Sequence, residues 1–111
     1  MVPSKVLDRT FSALSDPTRR DILELLTAGP ASISQLAAPI GISLPGVMKH
    51  VRILEEAKLV TTEKRGRARE CRIAPGDMDE VTDWIAHYRR MWEQRLDRLE
   101  AYLEQQKEGE R

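Results

Sequence analysis

Seven side chains capable of gripping an anion fall in two short stretches of this 111-residue chain. Lys49, His50 and Arg52 lie within VMKHVRI, and Lys64, Arg65, Arg67 and Arg69 within EKRGRARE. Lysine and arginine neutralise phosphate, and the planar arginine fork also matches paired acceptors such as those on a guanine edge. Cations packed together repel one another, and the arrangement becomes favourable when phosphates lie opposite. The acids beside the second cluster are Glu63 and Glu70, at its two ends. No Ser-His-Asp, Cys-His or paired-carboxylate set emerges, and the chain is short for a catalytic cleft. The chemistry on offer is binding, with no catalytic residue and no cofactor expected.

The overall charge conceals this. Eighteen basic residues balance eighteen acidic ones. Residues 1–40 cancel, with Lys5, Arg9, Arg19 and Arg20 against Asp8, Asp16, Asp21 and Glu24. Residues 41–76 set eight cations (Lys49, Arg52, Lys58, Lys64, Arg65, Arg67, Arg69, Arg72) against four acids (Glu55, Glu56, Glu63, Glu70). The remainder holds six basic and ten acidic residues. A basic middle in a neutral chain points to a local anionic partner.

The elements that must position these side chains are legible from caps and periodicity. Ser4 is placed to cap a helix carrying Leu7, Phe11 and Leu14 at helical spacing. In SDPTRRDILELL, Asp16 supplies a cap and Pro17 takes the first helical position, where its missing N–H costs nothing. Ile22, Leu25 and Leu26 read as the inward face. Ser32 and Gln35 have capping-box spacing, opening a short helix that Pro39 helps to end, and Gly41 suits a turn needing positive φ. Ser43 then caps a second helix with Leu44 and Pro45 in its first turn. Two short helices joined through glycine form the helix-turn-helix pattern. VTTEKR and RECRI read as two strands around Gly66-Arg67. Asp77 and Glu80 have capping-box spacing, and one long helix follows to about Gln106. Its apolar positions Met78, Val81, Ile85, Tyr88, Trp92, Leu96, Leu99 and Leu103 recur every three or four residues.

On the second helix of the pair, Val47, Val51 and Leu54 share one face. Pro45, Lys49 and Arg52 share the other, with Met48 beside them. A helix buried on one side and basic on the other has the width and chemistry of a major-groove reader. The arginine-tipped hairpin that follows can act as a wing on the DNA backbone or adjacent minor groove. The fold class is mainly α with a small β-hairpin, in the order α-α-α-α-β-β-α. Residues 1–106 are expected to form a single winged-helix domain for DNA binding and dimerisation, with 107–111 a disordered tail.

LSDPTRRDILELL, ISQLAAPIGISLPGVMKHVRILEEAKLV and the KRGRARECRI hairpin together resemble the ArsR-type winged helix-turn-helix repressors, in order and over nearly the whole chain. The resemblance implies a homodimer that binds an inverted-repeat operator and represses neighbouring genes. It implies DNA contacts from Ser43, Pro45, Gly46, Met48, Lys49, His50 and Arg52 on the helix, and from Lys64, Arg65, Arg67 and Arg69 on the wing. It also implies dimerisation through the first and last helices, using Leu7, Phe11, Trp84, Tyr88, Trp92, Leu96, Leu99 and Leu103. The long apolar seam independently asks for a partner larger than the small core. Two positions depart from the family pattern. Met48 stands where a serine is common, losing a hydrogen bond but able to touch a thymine methyl. Lys58 stands where a glycine is common, predicting a helix end that still turns at a small conformational cost.

Many relatives sense metals through cysteines on the first helix of the reading pair, and ISQLAAP has no cysteine, histidine or acid. Asp83 and His87, four apart, offer two ligands where oxygen–nitrogen sites want three or four, so no metal site is expected. The tail YRRMWEQRLDRLEAYLE resembles a subgroup without evident metal ligands. The lone Cys71 excludes an internal disulfide and reads as a small apolar filler. Aromatics in the last helix leave room for a small-molecule inducer, and packing explains them equally well. No apolar run approaches the roughly 20 residues that cross a bilayer, so no membrane partner and a cytoplasmic location are expected. Two alternatives to a DNA-binding repressor remain at this point: a winged-helix protein-interaction module, and a metal-responsive repressor.

Overall fold

The computed structural model describes residues 4–109 and divides into two compact units, 1–78 and 79–111.

The first unit opens with α1 (Lys5–Leu14) and α2 (Pro17–Leu26). Ser4 caps α1 by accepting from the Leu7 N–H at 3.2 Å. Asp16 caps α2, accepting from the Arg19 N–H at 3.0 Å. That bond, to a donor with no partner inside the helix, holds the Asp16 carboxyl below its ordinary range against the opposing effect of burial, with the nearby charge of Arg19 acting in the same sense as the bond. Arginines of α2 close the end of α1. Arg19 Nε donates to the Ala13 carbonyl at 2.8 Å and Nη2 to Ser12 at 3.1 Å, while Arg20 Nη1 reaches the Leu14 carbonyl at 2.6 Å. Last-turn carbonyls lack the i+4 donor of the helix interior, and the arginines supply donors to Ala13 and Leu14, while Ser12 also accepts from Ser15.

The short strand β1 (Ala31–Ser32) leads directly into α3 (Ile33–Ile40). Ser32 and Gln35 form the expected capping box, with bonds of 3.2 and 2.8 Å. Pro39 lies inside α3 rather than ending it. The stop is Gly41, at φ 78°, whose N–H donates to Ala37 at 2.8 Å. Ser43 then caps α4 (Leu44–Glu56) by accepting from the Gly46 N–H at 3.2 Å. Strands β2 (Val60–Arg65) and β3 (Ala68–Ile73) form the hairpin. The two-residue strand β1, which has no periodicity to reveal it, adds to β3 through Ala31↔Cys71 and Ser32↔Glu70, giving an antiparallel order β1-β3-β2. Val47, Val51 and Leu54 of α4 join Ile22, Leu26, Leu36, Leu59, Val60 and Cys71 in one buried cluster.

One inward-face expectation changes. Leu25 is exposed, and α2 buries Ile22 and Leu26 alone. On α1 the buried residues are Thr10 and Ala13, while Leu7 and Leu14 are half-buried and Phe11 is exposed.

The end of α4 is a complete Schellman motif. The Lys58 N–H donates to Glu55 and the Leu59 N–H to Leu54, both at 2.9 Å. The motif needs a left-handed residue between them, and Lys58 supplies it at φ 62°, the only non-glycine with positive φ among the described residues. The small cost expected of this lysine is thus located in its backbone. Lys58 Nζ lies 3.8 Å from Asp77 Oδ2 in an exposed pair that adds little.

The second unit is one helix, α5 (Met78–Gly109), which continues three residues past the expected stop at Gln106. Lys107–Gly109 are therefore helical, and the rest of the expected disordered tail lies outside the described residues. Trp84 stacks on Tyr88 with ring centroids 5.4 Å apart, and Tyr88 meets Trp92 edge-on at 6.3 Å.

Lys58→Gly is expected to stabilise the protein by about 1 kcal/mol, because glycine removes the left-handed penalty. Chemical denaturation would measure it. Stability at or below wild type would mean that the Asp77 contact outweighs the backbone strain.

Candidate nucleic-acid interface

In the first unit, an exposed cationic surface is assembled by α4 and the β2–β3 hairpin. The core contacts of Val47, Val51 and Leu54 fix which side of α4 faces inward, and the helical repeat then places Pro45, Met48, Lys49 and Arg52 outside, all exposed. His50 does not join them. It is half-buried, and its Nδ1 accepts from Arg19 Nη1 at 3.3 Å. A guanidinium only donates, so this bond requires the neutral ring to carry its proton on Nε2. Asp16 Oδ2 lies 3.8 Å from the same Nδ1, a contact that becomes an ion pair only on protonation. Ser43 and Gly46 are joined in the helix cap, and a Cβ at Gly46 would sit 3.2 Å from Ser43 Oγ, so glycine keeps that cap uncrowded.

Strand register sorts the hairpin's cations. The strands pair from Val60↔Ile73 to Arg65↔Ala68, leaving Gly66 and Arg67 as a two-residue turn with Gly66 at φ 60°. Cross-strand partners share a face. Val60, Thr62 and Lys64 therefore lie with Ile73, Cys71 and Arg69 on the side that enters the core, and Glu63 and Arg65 lie with Glu70 and Arg72 on the other. On that outer side, Glu63 stands opposite Glu70, a like-charge pair that destabilises a ladder unless neutralised. Arg65 sits 3.6 Å from Glu63 and 3.7 Å from Glu70, and Arg72 binds Glu70 at 2.8 Å. Arg65 is thus partly engaged with acids, although exposed.

The inner side carries a link that sequence reading missed. Thr62 Oγ1 donates to Glu55 of α4, and Arg69 Nη1 donates to Thr62 Oγ1 at 3.2 Å. One hydroxyl thereby joins the C-terminal half of α4 to the hairpin and holds Arg69 between them. Met48, Arg52, Glu55, Thr62 and Arg69 line a cleft of about 130 Å³ there. Only the register, which puts Thr62 opposite Cys71, could have signalled this inward hydroxyl. In contrast, the side chains of Lys49, Arg52, Lys64 and Arg67 make no hydrogen bond or ion pair among the described residues.

Cys71 is fully buried in the sheet's centre, and desolvation, with Glu55 and Glu70 nearby, pushes its thiol up from the ordinary range. A protonated, inaccessible thiol is a packing group. Asp83 and His87 lie on α5, and among the described residues no group of three or more His, Cys, Asp or Glu side chains is placed to hold a metal ion.

A family model described as a helix-turn-helix domain matches residues 14–63, spanning α2 to α4 and into β2. The crystal structure of an ArsR family transcriptional regulator shares 40% identity and superimposes with a TM-score of 0.76, covering 84% of this chain and 97% of that one. This chain belongs to the ArsR family of transcriptional regulators. The HTH-type transcriptional regulator Rv2034 of Mycobacterium tuberculosis is 38% identical over 68 residues, 61% of this chain and 64% of that protein. The transcriptional repressor SdpR of Bacillus subtilis is 36% identical over 61 residues, 55% of this chain and 68% of that protein. The chain thus spans about two thirds of the length of these relatives. As an ArsR-family regulator it carries a helix-turn-helix DNA-binding domain and belongs to a non-enzymatic class. No helix among the described residues is long and apolar enough to cross a membrane.

Thr62→Val should break both bonds of the Glu55–Thr62–Arg69 link while keeping shape and burial. The order parameter of the Arg69 guanidinium, measured by NMR relaxation, is expected to fall, with that of Arg67 unchanged. An Arg69 equally ordered in the variant would show that packing holds it instead.

Proposed function

We propose that this ArsR-family regulator is a cytoplasmic, homodimeric repressor that lays α4 in the major groove of an inverted-repeat operator beside its own gene and touches the flanking backbone with the β2–β3 hairpin. The observation that carries the reading is the division of cations on the body. Arg19, Arg20 and Arg72 are spent on internal bonds, while Lys49, Arg52, Lys64 and Arg67, like Lys5 and Arg9 of α1, are exposed with no acceptor among the described residues; of these, the four on α4 and the hairpin fall on one helix-turn-helix and its wing. Pro45, Met48, Lys49 and Arg52 form the reading face, Lys64, Arg67 and Arg69 the wing contacts, with Arg65 exchanging its acids for phosphate. Ser43, Gly46 and His50 act through the helix start and its anchoring. Repression is the role named for SdpR, and it is carried to this chain as part of the proposal.

The dimer reading is supported by α5. Tyr88, Trp92, Leu96, Leu99 and Leu103 are each 44–56% exposed, an apolar stripe that water disfavours and a second copy would cover. Leu7 and Phe11 of α1, with Trp84, complete the expected interface. Residues 1–106 would thus serve both tasks, DNA binding in the body and dimerisation with α5. The signal that relieves repression is taken to be a small molecule of unidentified chemistry.

Mobility-shift titration on the DNA upstream of its own gene, at two or more salt concentrations, tests the DNA reading. Lys49→Ala is expected to lose about 1–3 kcal/mol of base discrimination. Arg67→Ala should weaken binding on all sequences and flatten the salt slope by about one. Binding without salt dependence would sink the reading, and an unchanged slope in the Arg67 variant would remove the wing from it.

Leu99→Asp is expected to give monomers in sedimentation and to lose most operator affinity. A dimer that survives this charge would move the interface away from α5.

A further inference from the structure

Met48 of the reading face proposed above and Leu44, one turn before it on α4, are two large apolar side chains that the core does not take up. Leu44, in the first turn of α4, is 49% exposed, and Met48, one turn later, is 42% exposed. Residues four apart on a helix lie one above the other on the same face, and Arg52 continues the same stripe. Met48 also borders the cleft shared with Thr62 and Arg69 of the hairpin. Cations flank this apolar pair, Lys49 beside Met48 and Arg52 beyond it, so whatever covers the pair also meets positive charge.

We propose that Leu44 and Met48 read the C5-methyl groups of thymines in the major groove, so that α4 selects T·A pairs at two positions by apolar contact. The inference rests on the assignment of α4 as the reading helix. Among the four bases, thymine alone presents an apolar group in the major groove, and guanine, cytosine and adenine offer polar acceptors or donors there. Leucine has no hydrogen-bonding atom, and the methionine thioether is at most a weak acceptor. Pressed against a G·C edge, either side chain would strip water from O6, N7 or N4 and return nothing, a desolvation cost that rejects the pair. Against a thymine methyl, the same side chain buries apolar surface on both partners. Methionine's unbranched, flexible chain lets Met48 follow the methyl's position while Lys49 and Arg52 engage DNA on either side.

The test begins with selection of duplexes by the full chain from a random DNA pool. Thymine-containing pairs are expected at fixed positions in the selected sites. The best site is then remade with deoxyuridine in place of each thymidine, a change that removes only the methyl. Binding should weaken by about fourfold per contacted methyl. Met48→Ser and Leu44→Gln should each erase the thymidine–deoxyuridine difference at one pair while leaving the salt slope as in wild type. Both residues are exposed, and circular dichroism would verify that the variants fold. Deoxyuridine tolerated at every position, or selected sites without thymine preference, would overturn the methyl reading while the DNA-binding role stood. Failure to enrich any sequence, with salt-dependent binding also absent, would overturn both.

Discussion

The Arg19 guanidinium stands where three helices have to meet, and the placement of α4 follows from how it is used. Through Nε and Nη2 it closes the last turn of α1, and through Nη1 it reaches His50 in the middle of α4. Its own backbone N–H is held by Asp16, which starts α2. One side chain therefore binds two carbonyls in the last turn of α1 and fastens α4 to the junction of the first two helices. Hydrophobic burial of Val47, Val51 and Leu54 sets which side of α4 faces inward and how deep it sits. The hydrogen bond to His50 adds a directional constraint, limiting rotation of α4 about its own axis. With rotation limited, Pro45, Met48, Lys49 and Arg52 have to face outward.

A second constraint operates in the hairpin, where the period-two geometry of strands decides what each cation can do. Arg65 and Arg69 are both arginines near the tip, but they lie on opposite faces. Arg65 compensates the Glu63–Glu70 pair, whereas Arg69 is held on the α4 side by Thr62. The turn itself leaves Arg67 uncommitted. Function and folding thus draw on the same residue type within five positions, and only the register separates the two uses.

That separation explains what was legible in the sequence and what was not. Caps are local chemistry, so Asp16, Ser32 with Gln35, Gly41 and Ser43 could be assigned from short windows and appear with those partners. The glycine-bearing hairpin turn was equally local. Tertiary choices were harder. Leu25 fits the helical period of α2 but lies at the edge of the buried stripe, and Ile22 and Leu26 fill the core without it. In α1, Ala13 and Thr10 face the body because small side chains allow close approach, leaving the larger Phe11 outside. The strand β1 is two residues long and exists because β3 offers it an edge. The Glu55–Thr62 link was invisible because it joins different elements and depends on pairing register. His50 drew attention as part of a basic run, yet its ring is turned to Arg19, a partner 31 positions away.

The long helix follows a different logic from the body. At 1.5 Å per residue its 32 residues extend about 48 Å, and its large apolar side chains remain substantially in water. A solitary helix gains little from an apolar stripe that nothing covers, since most helical stability in proteins comes from packing such a face. The proposed homodimer resolves this and the reading problem together. A single reading helix meets only a few base pairs, whereas two copies related by symmetry read half-sites spaced by about one turn of DNA. Covering the stripe of α5 would supply the association energy that makes the second contact intramolecular, raising effective affinity without a new base contact. On that view the modest vocabulary of α4, two cations and two apolar side chains, suffices because it is spoken twice at a fixed spacing.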